Sequence, residues 1–278
     1  MRKNNNHPTV LIVGGIGVLA VLILLYSLFF KKSMSQVTAD GMAYLQTLEA
    51  KDPQEVETRL RAQREARRQA ESEERKQQLL DGTIDVWSLF GESVIMGDSR
   101  AVGFYTNEFL PQARVLAAGG DTIRLINEHQ DELVNLNPET LFLCYGLNDV
   151  SIGFWNNKEE YVAEYKEILS GLRQLLPNTA IYVNSILPAQ EAGLQLEGSW
   201  ANIPDYSNAV KEMCTQEGYG WVDCDGITSE YAYLYDEDGI HVQKEFYPYW
   251  AVQMMTAVYD AALGTGEEAQ TSEETVEE

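Results

Sequence analysis

The residues of this chain that could do chemistry fall into four short blocks: Gly97-Asp98-Ser99, Gly119-Gly120-Asp121-Thr122, Gly146-Leu147-Asn148-Asp149 and Asp238-Gly239-Ile240-His241. A serine hydroxyl is a weak nucleophile until a neighbouring base takes its proton, and imidazole is the usual base. A carboxylate three residues before a histidine, as Asp238 is before His241, can orient the ring and stabilise its charged form. Glycine N–H groups and asparagine amides are the donors that acyl transfer aims at a carbonyl oxygen as it gains negative charge. Each block also has a plain structural reading. Ser99 can cap a helix, 119–122 can be a tight turn with a capping Asp121 or Thr122, Asn148 can close a turn, and 238–241 can be a turn leading into a helix. The chain has three histidines. His7 lies in a polar leader and His129 in the helical stretch INEHQDEL, so His241 is the one in a loop beside a carboxylate.

Positioning these blocks requires a sheet. Short apolar runs at 93–96, 114–117, 140–145, 180–187 and 221–224 read as buried strands, and stretches at 101–110, 122–136, 159–176, 202–217 and 243–263 read as helices. Apolar strands alternating with helices predict a parallel sheet covered on both faces. Ligands of such sheets sit outside the carboxyl ends of the strands, and each of the four blocks falls just beyond a strand or in the loop before the last helix.

Taken together, the ordered series Ser, Gly, Asn, then Asp and His resembles the SGNH (GDSL-like) hydrolase family over roughly residues 90–262. The resemblance implies a flavodoxin-like α/β fold, a three-layer α/β/α sandwich with a five-stranded parallel sheet. It implies Ser99 as nucleophile, His241 as its base and Asp238 as the group that orients His241. The oxyanion donors would be the Ser99 N–H, the Gly120 N–H and the Asn148 side chain. No cofactor is implied. Two positions depart from the family pattern. Arg100 stands where the nickname motif has Leu, which bears on pocket polarity rather than on catalysis. Gly119 stands where many relatives have Ser, leaving Gly120 as the matched donor. Phe154 and Trp155 follow the Asn148 block and are candidate substrate-binding walls for an acyl or sugar group, with core packing as the alternative.

Composition narrows the rest. Residues 1–82 carry 12 Lys/Arg against 10 Asp/Glu, and residues 83–278 carry 8 against 33. A body that acidic repels phosphate backbones, which excludes a nucleic-acid partner. There is no CxxC or HxxxH, so no metal site is indicated, and the acids at 236–238 lack full calcium-ligand spacing. Cys144 reads as an apolar filler, while Cys214 and Cys224 are left as free or paired.

Residues 9–30 hold no charge, and 22 residues at about 1.5 Å each give roughly 33 Å, enough to span a bilayer. The run is longer than a signal-peptide core, and Lys31 and Lys32 follow it where a small-residue cleavage site would stand. The expectation is an N-terminal cytoplasmic leader and single-pass anchor over 1–32. A charged helical stalk over 33–82 follows, starting afresh at Asp52-Pro53. The catalytic domain over 83–263 lies outside the cell, and an acidic disordered tail over 264–278 ends the chain. The expected function is a membrane-anchored esterase that cleaves short-chain, chiefly acetyl, O-esters on cell-envelope glycans through an acyl-serine. The alternatives are an O-acyltransferase using the same Ser–His site and a non-catalytic glycan-binding scaffold.

Overall fold

The computed structural model describes residues 24–28, 36, 38–44 and 53–274, the side chains of 53 and 265–274 excepted. The expected membrane span at 9–30 lies outside the described residues apart from 24–28. Among the described residues no helix is long and apolar enough to cross a membrane.

The first long element is helix α1, Pro53–Leu80. Its exposed face is laced by i,i+4 ion pairs such as Arg61–Glu57 at 2.6 Å and Arg67–Glu71 at 2.7 Å, each worth a few tenths of a kcal/mol. The chain divides into two compact units between Ala66 and Arg67, inside this helix. In the last turn of the helix Leu79 is 5% exposed and packs in the same core as Val86 and Phe90.

Five parallel strands follow: β1 (Val94–Gly97), β2 (Val115–Ala117), β3 (Thr140–Cys144), β4 (Ala180–Asn184) and β5 (Gly220–Val222). Their order is β2-β1-β3-β4-β5, the doubly wound order expected from the family resemblance. Alternate residues of each strand face opposite layers. Val94, Met96, Leu141, Leu143, Ile181 and Val183 pack on one side with α3 (Gln130–Leu136), α5 (Lys158–Leu175) and α7 (Ile203–Glu217). Ile95, Phe142, Tyr182 and Val222 pack on the other with the end of α1, α2 (Gly103–Thr106) and the closing helix α9 (Tyr247–Glu274). Three further short helices, α4 (Leu147–Ile152), α6 (Glu191–Leu196) and α8 (Asp225–Glu230), lie in the connections after β3, β4 and β5. Helix α9 continues past the expected end at 263 into the segment expected as a tail, whose Glu, Ala and Gln are good helix formers.

Cys214 belongs to the core of one sheet face and Cys224 to that of the other, so the sheet separates them and both are free thiols. Burial pushes the Cys214 thiol up to about 12. The helix expected over 101–110 shrinks to the four residues of α2, with Glu108 at φ +65° ending it. Ser99 therefore stands on a turn closed by the Ala101 amide donating to the Asp98 carbonyl at 3.0 Å, not at the mouth of a long helix.

Candidate active site

The reversal of strand order lies between β1 and β3, and their carboxyl ends carry Ser99 and Asn148. His241 Nε2 is 2.9 Å from Ser99 Oγ, and His241 Nδ1 is 2.6 Å from Asp238 Oδ2. A carboxylate only accepts, so the proton between them sits on Nδ1, and Nε2 is left to accept from the Ser99 hydroxyl. Asp238 Oδ1 accepts the amides of Ile240 and His241, each at 2.9 Å. Burial pushes the Asp238 carboxyl up, but the hydrogen bonds from the His241 ring and these two amides outweigh it and hold it below its ordinary value. It stays charged, which keeps the imidazole in one tautomer and one orientation.

The loop carrying His241 is seated on the segment between β4 and α7. The Gln190 amide donates to the Gly239 carbonyl at 2.7 Å. Gly239 has φ +69°, and a Cβ there would lie 2.6 Å from the Gly193 nitrogen, so no other residue fits without displacing the turn that carries His241. Ile240 packs with Leu147, Val150, Ile186 and Ile203 in a small apolar cluster, which ties the histidine loop to the start of α4. Trp200 adds to it by donating its indole N–H to the Leu147 carbonyl at 2.9 Å. Neither Trp200 nor Gly193 carries a sequence signal, because their partners lie far away in the chain.

The loop after β2 is exposed at Gly119 and Gly120, and Gly120 has φ +86°. The Asn148 amide donates to the Asp121 carbonyl at 2.9 Å, which fixes its plane and leaves its second N–H for a ligand. Of the expected site residues, Ser99, Asp238 and His241 form one hydrogen-bonded chain, and Asn148 is bonded to the Gly120 loop.

Two expectations change. Arg100 does not colour the pocket: it is 3% exposed and turned inward, bonded through Nε and Nη2 to Asp98 at 3.2 and 3.0 Å and through Nη1 to the Leu187 carbonyl at 2.6 Å. Burial opposes its charge, but the Asp98 carboxylate beside it more than compensates and raises its pKa above the ordinary value. Trp155 is a core residue at 8% exposure, edge-on to Tyr161 with its indole N–H on Glu164 at 2.7 Å. Phe154 is 48% exposed, but the Arg124 guanidinium lies 4.6 Å from its ring centroid, and Arg124 is held by Glu164 at 2.6 and 2.8 Å. The pair is an aromatic–cation stack tied to α5 through Glu164.

None of the curated proteins compared with this chain matches it. Among solved structures, an acetyl xylan esterase is 19% identical, over 60% of this chain and 99% of that one, with TM-score 0.47. A lipase/acylhydrolase from Enterococcus faecalis is 16% identical, over 59% and 95%, with TM-score 0.46. A GDSL-like lipase from Bacteroides thetaiotaomicron is 16% identical, over 63% and 88%, with TM-score 0.45. The family model described as GDSL-like lipase/acylhydrolase matches residues 89–247, which spans more than half of the sequence and contains all four blocks. The chain belongs to the GDSL-like lipase/acylhydrolase family, hydrolases that act on ester bonds.

Proposed function

We propose that the protein is a serine esterase of SGNH type in which Ser99 attacks, His241 is its base and Asp238 orients His241. The observation that carries this is the unbroken chain from Ser99 Oγ through His241 to Asp238, at 2.9 and 2.6 Å. His241 Nε2 takes the hydroxyl proton as Oγ attacks the ester carbonyl. The charge that forms on the carbonyl oxygen falls to the Ser99 N–H, the Gly120 N–H and the Asn148 side chain, each such donor being worth about 10²–10³ in turnover. The tetrahedral intermediate collapses, His241 returns the proton to the leaving alcohol, and the acyl group is left on Ser99. Water, deprotonated by the same nitrogen, then releases the acid.

The proposed substrates are short-chain O-esters, acetyl above all, on large molecules such as cell-envelope glycans. The exposure of the site supports this: the His241 and Asp238 side chains are 43% and 38% exposed. A site that open admits a small acyl group projecting from a polymer and offers little enclosed apolar surface to a long chain. The uncharged run at 9–30 supports an anchored protein, with Arg2 and Lys3 inside and the catalytic domain outside the cell. A series of p-nitrophenyl esters tests the substrate class. The acetyl and propionyl esters are expected to have the highest kcat/KM, falling at least about tenfold by the octanoyl ester; a maximum at long fatty chains would contradict the proposal.

A further inference from the structure

Asp149 follows Asn148 directly and is 2% exposed, yet the esterase mechanism gives it no step. Its Oδ1 accepts the amide of Ile123 at 3.0 Å. Thr122, at the cap position of the 3-10 segment that Ile123 opens, makes no side-chain cap bond, so Asp149 serves as the cap from another element. Asn148 Nδ2 donates to the Asp121 carbonyl at 2.9 Å. Two bonds running in opposite directions thus join the turn after β3 to the loop after β2.

We infer that Asp149 is a positioning residue that locks the Gly120 loop to the Asn148 turn and so sets the alignment of both outer oxyanion donors. The inference rests on the esterase reading of the site. Donors act fully only when they are already aimed at the position the oxyanion will take, so a loop free to drift lowers kcat more than it raises KM.

The surroundings of Asp149 favour its neutral form. The groups that bear on it electrostatically are Asp98 beyond β1, Arg124 beside the Gly120 loop, Tyr145 at the end of β3, and Tyr161 and Tyr165 on α5. Asp149 Oδ2 and the three tyrosine hydroxyls are buried with no hydrogen-bond partner. Burial, more than the nearby Asp98 charge, raises the Asp149 pKa to about 7 against the pull of the backbone amides. Neutral Asp149 still accepts from Ile123. Ionised, it sets a negative charge behind the very donors that must stabilise another one. Turnover should therefore fall as pH rises through about 7. Asparagine at this position keeps the Oδ1 acceptor and cannot ionise.

The test uses the full chain as wild type, Asp149→Asn and Asp149→Ala, with p-nitrophenyl acetate kinetics from pH 5.5 to 9 and amide exchange of the peptide containing Ile123. Asp149→Ala is expected to lose about tenfold or more in kcat, with KM within about twofold, and to lose protection at Ile123. Asp149→Asn is expected to keep that protection, recover kcat to within about threefold of the wild type at pH 6, and lack the alkaline fall. Unchanged kcat and protection in Asp149→Ala, or an alkaline fall that persists in Asp149→Asn, would overturn the inference. Should the alanine variant not fold, the asparagine pH profile still decides. A wild-type protein without ester turnover would defeat the esterase reading instead, and Ile123 exchange would still report on the lock.

Discussion

Ser99→Ala protein is expected to turn over p-nitrophenyl acetate about 10⁴-fold or more slowly than wild type and to melt within about 2 °C of it. In the proposed mechanism, loss of Ser99 removes the covalent route, leaving only what the remaining donors and binding contribute to direct attack by water. The fold has little to lose, because Ser99 is half-buried and the side-chain bond that goes is the one to His241 at 2.9 Å. Removing one hydroxyl at a partly exposed position, with no volume left to refill in the core, is expected to change stability by about half a kcal/mol. Steady-state kinetics and thermal unfolding of the same preparations check both halves. Equal turnover by the two proteins would remove Ser99 from the mechanism, and a large drop in melting temperature would make the kinetic loss uninformative about chemistry.

Arg100→Leu is expected to lower the melting temperature by about 10 °C. Asp98 is fully buried, and it is held by the guanidinium of Arg100 together with the Arg100 amide at 3.0 Å. Removing the guanidinium leaves a carboxylate without its countercharge in the interior and the Leu187 carbonyl without its donor. Breaking one side of a buried pair costs about 3–5 kcal/mol, and each kcal/mol shifts the melting temperature by about 2–4 °C in a domain of this size. The pair itself need not be net stabilising, since desolvation of both charges offsets much of their attraction. The double variant Asp98→Asn, Arg100→Leu is therefore expected to recover a large part of the loss. Thermal unfolding of the single and double variants checks this. A single Arg100→Leu variant as stable as wild type would show that the inward guanidinium contributes nothing. Because Arg100 also accepts the Tyr247 hydroxyl on its carbonyl at 2.8 Å, its backbone stays anchored in the variant, and Ser99 beside it should keep its place.

The strands could be read from the sequence because buried parallel strands are short, continuous apolar runs bounded by turn residues, as in the Val94–Gly97 and Thr140–Cys144 segments. Helices α5 and α7 could be read from their repeated apolar positions. Helices α4, α6 and α8 could not: six residues make fewer than two turns, too few to display a period. The site blocks were legible because glycine, carboxylate and imidazole cluster where strands end. What escaped depends on distant partners. An arginine beside a nucleophile reads as polar surface, and its burial follows only from Asp98 and a carbonyl 87 residues away. The seat of the His241 loop on Gly193, and the Trp200 bond to Leu147, join segments separated by dozens of residues and leave no local pattern. Cys214 and Cys224 are close in sequence, but one lies on a helix and the other just past a strand, with the sheet between them.

Labelling of the wild-type chain with a fluorophosphonate probe, followed by mapping of the modified peptide, tests most directly whether an activated serine sits at the end of β1. The phosphonyl group is expected to be found on Ser99, with labelling suppressed in His241→Ala protein, where nothing remains to take the hydroxyl proton. Modification confined to another serine, or a wild-type protein that stays unlabelled, would contradict the account.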